Sequence, residues 1–184
     1  MTAVGGAISG RLAVGEHVLL RPVVAADEAE FLALARASAA MHHPWTELPT
    51  TPEQFAVFLT RFTPPVVNIG LAVCARDTGA MTGGVNINNI VRGRFQSAAL
   101  GYWAYVSSVR GYMSEAIRLV VSYAFGDLDL HRLEANVQPG NEASSRLVLR
   151  NGFRHEGLSP DYLFIDGAWR DHDRYAITRE MVDG

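Results

Sequence analysis

Residues 98–125, AALGYWAYVSSVRGYMSEAIRLVVSYAF, decide the fold predicted for this chain. The first part of the stretch is apolar and aromatic, which is typical of a strand, and Gly101 within it marks either a bulge or a close approach by another group. From Ser114 onward, apolar residues recur at helical spacing, and Gly126 follows them as a helix stop. The turn between strand and helix carries Gly111. Such a turn leaves the first helical N–H groups unpaired, and they suit a phosphate, although the signal alone is weak.

The composition predicts one domain over residues 1–184, with the Gly-rich residues 1–10 flexible. The net charge is −3, which argues against a general nucleic-acid surface, because such a surface needs clustered Lys and Arg. No apolar run reaches the length of a membrane span, and no secretion signal is visible. The single cysteine, Cys74, lies in an apolar run and is expected in the core. We therefore expect a cytoplasmic protein without a membrane partner.

Turn residues divide the chain into strands and helices. Residues 77–79 and 92–94 predict turns, so the strands beside them and residues 98–106 form three consecutive antiparallel strands. A helix then intervenes, and the strand at 131–137 is expected to lie parallel to residues 99–106 through a right-handed crossover. The other predicted elements are strands at 14–21, 153–158, 161–165 and 169–178, and helices at 27–40, 52–62 and 142–150.

The parallel pair is where the predicted sheet offers a ligand site. Two parallel strands with a helix between them can splay apart, and unpaired backbone groups then face a slot. An extended molecule that carries amides can hydrogen-bond there like an extra strand. The residues permit this geometry without requiring it.

Two later segments carry a family resemblance. Residues 130–157, LHRLEANVQPGNEASSRLVLRNGFRHEG, and 162–172, YLFIDGAWRDH, together with residues 98–125, resemble the GCN5-related N-acetyltransferases (GNAT). More narrowly, they resemble the RimJ/RimL branch of ribosomal-protein N-terminal acetyltransferases, and the resemblance extends from Arg21 to about Thr178. It implies a three-layer α+β fold with a mixed, mostly antiparallel sheet of about six or seven strands, one splayed parallel pair and about four helices. It also implies acetyl-CoA as co-substrate, no metal, and direct acetyl transfer to an amine.

The resemblance implies a path for the coenzyme. The family's pyrophosphate loop runs Arg or Gln, two residues, Gly, one residue, then Gly or Ala. The matching positions here keep Gly111, but Ser108 and Met113 depart from the pattern and the loop is short. Asn141 matches the branch's Asn-x-x-Ser and either binds the pantetheine arm or only caps its helix. Arg146 either reaches the 3′-phosphate or is solvated. The expected coenzyme-binding residues are Trp103, Ala104, Tyr105, Val106, Val109, Arg110, Gly111, Tyr112, Met113, Ser114, Asn136, Asn141 and Arg146.

Acyl transfer to an amine needs proton transfer, close placement of the reactants and donors for the developing oxyanion. By the resemblance, Ser144 is the acid that protonates the leaving thiolate. A backbone N–H of Ala104 or Tyr105 is the oxyanion donor.

The sequence identifies no general base. Related RimL-type enzymes place a Glu at the strand position that is Leu163 here, and Asp161 and Glu134 are the nearest acidic alternatives. An N-terminal amine has a pKa of about 8, so a weak base or a chain of water molecules suffices.

By the resemblance, the acceptor is expected beside the loop between the first two predicted helices. A histidine there can relay a proton, or it can simply pack. Asp171 and His172 are adjacent on a strand and point to opposite faces, so we interpret their segment as architecture or a dimer contact. The expected acceptor-binding residues are His42, His43, Trp45 and Tyr102.

Three functions stay open at this point. The first is an acetyl-CoA-dependent N-acetyltransferase acting on a protein N-terminus, with ribosomal proteins as the branch's precedent. The second keeps the fold and the reaction but takes a small-molecule amine. The third is a non-catalytic acyl-CoA-binding module, favoured by the altered loop and the missing Glu. Either a monomer or a homodimer fits the sequence.

Overall fold

Eight strands form one sheet in the computed structural model, which describes residues 10–183. Of the N-terminal residues 1–10 that were expected to be flexible, residues 1–9 lie outside the described residues. The order across the sheet is β1-β2-β3-β4-β5-β6-β8-β7. The strands are β1 Ala13–Val14, β2 Val18–Pro22, β3 Ile69–Ala75, β4 Met81–Val91, β5 Ser97–Ala104, β6 Arg132–Val137, β7 Arg154–Ile165 and β8 Ala168–Thr178.

Six α-helices occur among the described residues. They are α1 Glu28–Ala37, α2 Ala39–His42, α3 Pro52–Thr60, α4 Tyr112–Phe125, α5 Glu142–Arg150 and α6 Glu180–Asp183. The predicted fold class is confirmed, with small differences in count. Helices α2 and α6 have four residues each, too few to produce a helical pattern in the sequence. The predicted strand at 14–21 is divided into β1 and β2, and the two strands predicted at 153–165 are the single irregular strand β7.

The parallel pair β5–β6 is the feature that positions the site. It is the one parallel pairing described in the sheet, and it runs from Ser97 opposite Arg132 to Leu100 opposite Ala135. Strand β5 continues to Ala104 beyond the last paired residue. The two strands therefore separate after Leu100, as predicted, and leave a slot between them.

Alternate residues of the sheet pack into two different apolar clusters. On β5, Ala98 and Leu100 join the cluster that contains Ile117 of α4, whereas Trp103 joins the cluster that contains Phe31 of α1. Because successive side chains of a strand point to opposite faces, the helices cover both faces of the sheet. We call these faces the α4 face and the α1 face. The result is the three-layer arrangement that the resemblance implied.

The prediction that Cys74 lies in the core is confirmed. Cys74 is 1% exposed, and burial raises the pKa of its thiol, as expected of a core residue. Thr51 caps α3 by accepting a hydrogen bond from the Gln54 N–H at 3.3 Å. Among residues 10–183, no helix is long and apolar enough to cross a membrane. Within the same range, no group of three or more His, Cys, Asp and Glu side chains is placed to hold a metal ion.

Candidate active site

The free edge of β5 forms one wall of the slot. In an antiparallel ladder, the backbone groups of successive residues point alternately to the two neighbouring strands. The Tyr105 N–H donates to the Thr82 carbonyl, on the β4 side, at 2.9 Å. The Gln96 carbonyl accepts from the Arg132 N–H, on the β6 side, at 3.1 Å. Even-numbered residues of β5 therefore direct their backbone groups toward β6.

Beyond Leu100, this alternation places the backbone groups of Tyr102 and Ala104 along the open slot. Trp103 and Tyr105 direct their backbone N–H groups to β4, and their side chains are 8% and 1% exposed in the core of the α1 face. Of the two oxyanion donors predicted from the sequence, Tyr105 has its N–H already bonded, so Ala104 is the one that fits.

His42 is hydrogen-bonded to the last residue of β5, at the end of this wall. It was expected in a loop, but it is the last residue of α2, is 7% exposed, and places Nε2 2.8 Å from the Ala104 carbonyl oxygen. Because a carbonyl only accepts, Nε2 carries the proton in this contact. His42 thus occupies the carbonyl of Ala104 and leaves the N–H of that residue to a ligand.

Tyr102 and Ser144 form a pair of hydroxyl groups beside the slot. Their oxygens are 2.6 Å apart, which joins β5 to the first turn of α5. Burial raises the pKa of Tyr102 to about 12, so the phenol stays protonated over the physiological range. One hydrogen is used within the pair, whichever oxygen donates, and the other remains available to a third atom. The sequence assigned Ser144 to acid catalysis and Tyr102 to the acceptor, and the structure brings them into one unit.

The start of α5 has the capping geometry that was the alternative to coenzyme binding. The Asn141 Oδ1 accepts a hydrogen bond from the Ser144 N–H at 3.1 Å. This bond uses only the oxygen of the amide, so the Nδ2 donor can still serve a ligand. Arg146 pairs with Glu142 at 2.8 Å on the exposed side of the helix. An exposed pair of this kind contributes little to stability and can be exchanged for a phosphate.

The N-terminus of α4 opens onto the other end of the slot. Gly111 precedes the helix with φ +101°, and no atom lies within 4 Å of the position of a Cβ there. No side chain among the described residues caps this end. The Tyr112 N–H bonds to the Val109 carbonyl, which leaves the N–H groups of Met113 and Ser114 as first-turn donors without an intrahelical partner. Their side chains, in contrast, are buried.

The loop before α4 is tight and partly apolar. The Ser108 N–H donates to the Tyr105 carbonyl at 2.9 Å, and the Val106 N–H donates to the Ser38 Oγ at 3.0 Å. The side chains of Val106 and Val109 are more than half exposed, and Arg110 is also exposed. Sequence reasoning missed Ser38, because it ends α1 and belongs to no motif near the loop that it holds.

The acceptor-side residues lie around the loop after α2. The Gln138 Nε2 donates to the Trp45 carbonyl at 3.1 Å, and a Cβ on Gly140 would lie 3.7 Å from the Trp45 ring. His43 is exposed, with Nδ1 3.9 Å from an oxygen of Asp166 in the β7–β8 turn. These contacts join the loop to the C-terminal end of β6. Gln138 was not identified from the sequence.

An open cavity of about 350 Å³ lies beside this loop. Its lining includes His42 and His43, together with the carboxylates of Glu47 and Asp166. Trp45 and Tyr102 are not part of its lining, so the four predicted acceptor residues do not converge on one cavity.

The candidate bases are held in other contacts. Glu134 pairs with Arg132 at 3.0 Å and also with Arg174. Asp161 is exposed, and its backbone N–H donates to the Asp171 carboxylate at 2.9 Å. His172 is buried, with Nδ1 2.9 Å from the Arg170 carbonyl. Asp171 is exposed and His172 is buried, so the two side chains lie on opposite faces of β8, as predicted.

Asn136, predicted to bind coenzyme, lies one residue past the last position of β6 that pairs with β5. Its neighbours Ala135 and Val137 belong to the cluster of the α4 face. The Asn136 side chain therefore lies on the α1 face, opposite the side chains of Tyr102 and Ser144.

Comparisons with known proteins agree with this architecture. The family model described as the acetyltransferase (GNAT) domain matches residues 17–154. The probable N-acetyltransferase YjcK of Bacillus subtilis is 43% identical over 98 residues, which cover 53% of this chain and 54% of the relative. The [ribosomal protein uS5]-alanine N-acetyltransferase of Escherichia coli is 39% identical over 107 residues, covering 55% of this chain and 53% of the relative. The chain thus matches about half the length of these curated relatives.

Among solved structures, the chain is similar to Mycobacterium smegmatis RimJ in complex with CoA-disulfide. The TM-score is 0.83 at 29% sequence identity, and the match covers 91% of this chain and 84% of RimJ. The similarity therefore extends over the slot, α4 and α5 together.

Proposed function

Since this chain belongs to the GNAT acetyltransferase family, we propose that it is an acetyl-CoA-dependent N-acetyltransferase whose acceptor is the N-terminal amine of a protein. The observation that carries the proposal is the Tyr102–Ser144 hydroxyl pair, 2.6 Å apart, beside the unpaired edge of β5. A proton donor beside a slot for an extended amide is the combination that thioester aminolysis requires. The likeness to the uS5-alanine enzyme and to coenzyme-bound RimJ supports this assignment.

The described residues fit coenzyme A at both of its recognition elements. The backbone groups of Tyr102 and Ala104 are placed to pair with an extended amide chain, as an added strand would. The N–H groups of Met113 and Ser114, with Gly111 leaving room in front of them, suit the pyrophosphate. These residues bind and orient the coenzyme, and acetyl-CoA supplies a thioester carbonyl that an amine attacks directly.

The chain's own residues then handle charge and protons. The Ala104 N–H stabilises negative charge on the carbonyl oxygen, and His42 keeps that residue in place. The Tyr102–Ser144 pair gives its free hydrogen to the departing sulfur. The amine loses its proton to water, because an amine with a pKa of about 8 needs no strong base. This accounts for a site without a free carboxylate at the position of Leu163.

The acceptor that we propose is the N-terminus of a ribosomal protein, which would place the reaction in the cytoplasm. The support is the likeness to an enzyme named for ribosomal protein uS5. A small cationic amine is the second candidate. It is favoured by the cavity of about 350 Å³ whose lining includes the carboxylates of Glu47 and Asp166.

A thiol-release assay with acetyl-CoA tests the proposal. The acceptors are a peptide with a free N-terminal Ala, the same peptide with a blocked N-terminus, and spermidine. We expect release with the free peptide and background release with the blocked one. Preference for spermidine would support the second candidate. Coenzyme binding without release for any amine would overturn the enzyme assignment in favour of a non-catalytic acyl-CoA-binding module.

A further inference from the structure

A row of polar residues crosses the α1 face where β5 and β6 separate. Asn86 of β4 is paired with Gly101 of β5, and Asn136 of β6 is paired with Arg174 of β8. The last pair of the parallel ladder places Gly101 beside Asn136. We call Asn86, Gly101, Asn136 and Arg174 the polar row. Cross-strand partners share a face, so its side chains lie on the side opposite α4.

The polar row holds buried polar atoms without partners. The Asn86 Oδ1, the Asn136 Oδ1 and the Arg174 Nε have no hydrogen-bond partner among the described residues. Six buried side-chain atoms of this kind occur in the described part of the chain, and three of them lie in this one row. Asn86 is only 7% exposed. Buried polar groups are almost always hydrogen-bonded to protein, water or a ligand, so this cluster marks a place where a polar ligand can bind.

Gly101 leaves space at the centre of the row. A Cβ at this position would lie 3.3 Å from the Asn88 Nδ2 and 4.0 Å from the Asn86 Cβ. The glycine therefore keeps open a gap between Asn86 and Asn136 that any side chain would narrow. The gap begins one residue beyond the last β5–β6 pair, at the mouth of the proposed coenzyme slot.

Arg174 is held in one orientation. Its guanidinium bonds to Glu134 and to the Ser159 Oγ at 3.4 Å, and its Cζ lies 4.5 Å from the centre of the Tyr162 ring. These contacts use its terminal nitrogens and leave Nε as a directed donor. Since Glu134 balances much of its charge, Arg174 acts at this position mainly as a hydrogen-bond donor.

The chemistry of the row is two acceptors and one donor in adjacent positions. We infer that the polar row recognises the α-amine and first carbonyl of a peptide N-terminus, an inference that rests on the proposed function. Asn86 and Asn136 accept the two N–H bonds of the neutral amine, which leaves its lone pair for the thioester. Arg174 donates from Nε to the carbonyl oxygen of the first residue. This assigns Asn136 to the acceptor rather than to the coenzyme.

Amide oxygens suit this task better than carboxylates. A carboxylate beside the amine would favour the ammonium form and raise its pKa, which would remove the nucleophile. A polyamine has no carbonyl and would leave the Arg174 Nε unpaired, and sites built for a hydrogen bond reject ligands that lack it. The row therefore selects peptide N-termini over polyamines.

The wild-type enzyme provides the first test. Its acceptors are a peptide with N-terminal Ala, the same peptide with the first carbonyl reduced to a methylene, and spermidine. We compare kcat/KM above the pKa of each amine, so that every acceptor is neutral, and expect it to fall by at least about 10-fold when the carbonyl is removed, with no higher value for spermidine. Equal kcat/KM for the peptide and its reduced form would overturn the inference.

Variants give the second test. Arg174→Met should lower kcat/KM for the peptide and leave the reduced peptide unchanged, whereas Asn136→Leu should raise KM for both. Asn88→Ala is the matched control, because Asn88 lies on the same face but is already bonded to Arg61 at 3.1 Å. If Arg174→Met lowers kcat/KM equally for the peptide and its reduced form, the proposed hydrogen bond from Arg174 to the first carbonyl is wrong.

The affinity for acetyl-CoA separates this inference from the proposed function. Calorimetry should give the same coenzyme Kd for the wild type, Asn136→Leu and Arg174→Met. A wild type that binds coenzyme and acetylates peptides without discriminating carbonyls would overturn only the inference. A wild type that acetylates nothing would overturn the proposed function.

Discussion

The two faces of the sheet contribute to the site with different kinds of group. On the α4 face, the proposed coenzyme contacts are backbone N–H groups at the start of α4 and the Tyr102–Ser144 hydroxyl pair. On the α1 face, the proposed acceptor contacts are side chains that come from β4, β6 and β8. The coenzyme side is built from short local segments, and the acceptor side is built from residues far apart in the chain. Changes on one side should therefore affect the coenzyme step, and changes on the other should affect the choice of amine.

The largest effect that sharpens this comparison is expected at the hydroxyl pair. Ser144→Ala and Tyr102→Phe each remove one of two coupled hydroxyls, and we expect kcat to fall by about 100-fold, the scale of a lost general acid. The Kd for acetyl-CoA and the KM for the amine should change little, as stopped-flow or steady-state assays can measure. Ser145→Ala, the next residue of α5, is the matched control. If a loss of unfolding free energy in Ser144→Ala accounts for the whole loss of kcat, Ser144 acts only by stabilising α5.

A comparison of two helix caps is expected to give a smaller effect. Asn141 and Thr51 each cap a helix, α5 beside the slot and α3 away from it. Replacing either with Ala should cost about 1 kcal/mol of unfolding free energy. Only Asn141→Ala should also weaken coenzyme binding, by about 10-fold for one lost hydrogen bond. Denaturant unfolding measures the unfolding free energy, and calorimetry measures the affinity for acetyl-CoA. Unchanged coenzyme affinity in Asn141→Ala would mean that Asn141 only caps its helix.

The pH dependence of kcat/KM reports on the acceptor amine and on the Tyr102 phenol at once. The amine must be neutral, so kcat/KM should rise with pH until about pH 8, the pKa of an N-terminal amine. Burial raises the pKa of Tyr102 to about 12, so its proton is retained and the rate should stay level above pH 8. A fall in rate near pH 10, the ordinary pKa of tyrosine, would contradict the raised pKa of Tyr102.

The smallest effect is expected from the charged residues at the far end of the sheet. The guanidinium groups of Arg132 and Arg154 lower the pKa of Glu156 to about 2. A lowered folded-state pKa means that this stabilisation is present above the unfolded-state pKa and is lost as pH falls toward 2. Glu156→Gln should therefore lower the melting temperature slightly at pH 7 and not at pH 2. An equal change at both pH values would mean that the pairs contribute nothing through charge.

The residues that could be predicted from the sequence are those whose signal is local. The glycine turn before α4, the Asn141 cap and the β5–α4–β6 crossover each lie within a short stretch with its own pattern. The acceptor side has no such pattern. Asn86 and Arg174 are brought near Asn136 only by the strand order and register, which single-residue patterns do not contain.

Two other differences between the sequence predictions and the structure also arise from contacts between residues far apart in the chain. Sequence reasoning placed His42 in a loop, because a four-residue helix gives no periodicity, and its bond to Ala104 joins residues far apart in the chain. Tyr105 appeared as suitable an oxyanion donor as Ala104. The pairing of its N–H with Thr82 depends on the register between β4 and the end of β5.

The central claim is that the slot and the N-terminus of α4 bind acetyl-CoA. The most direct test is calorimetric titration of acetyl-CoA into the wild type, Gly111→Glu and Gly93→Glu. Both glycines have positive φ and no atom within 4 Å of a Cβ, so each variant places a glutamate at a left-handed turn residue without a clash, but only Gly111 precedes α4. We predict micromolar binding for the wild type and for Gly93→Glu, and at least about 100-fold weaker binding for Gly111→Glu, whose carboxylate would repel the pyrophosphate. No binding by the wild type at millimolar coenzyme, or equal affinity in Gly111→Glu, would contradict the claim.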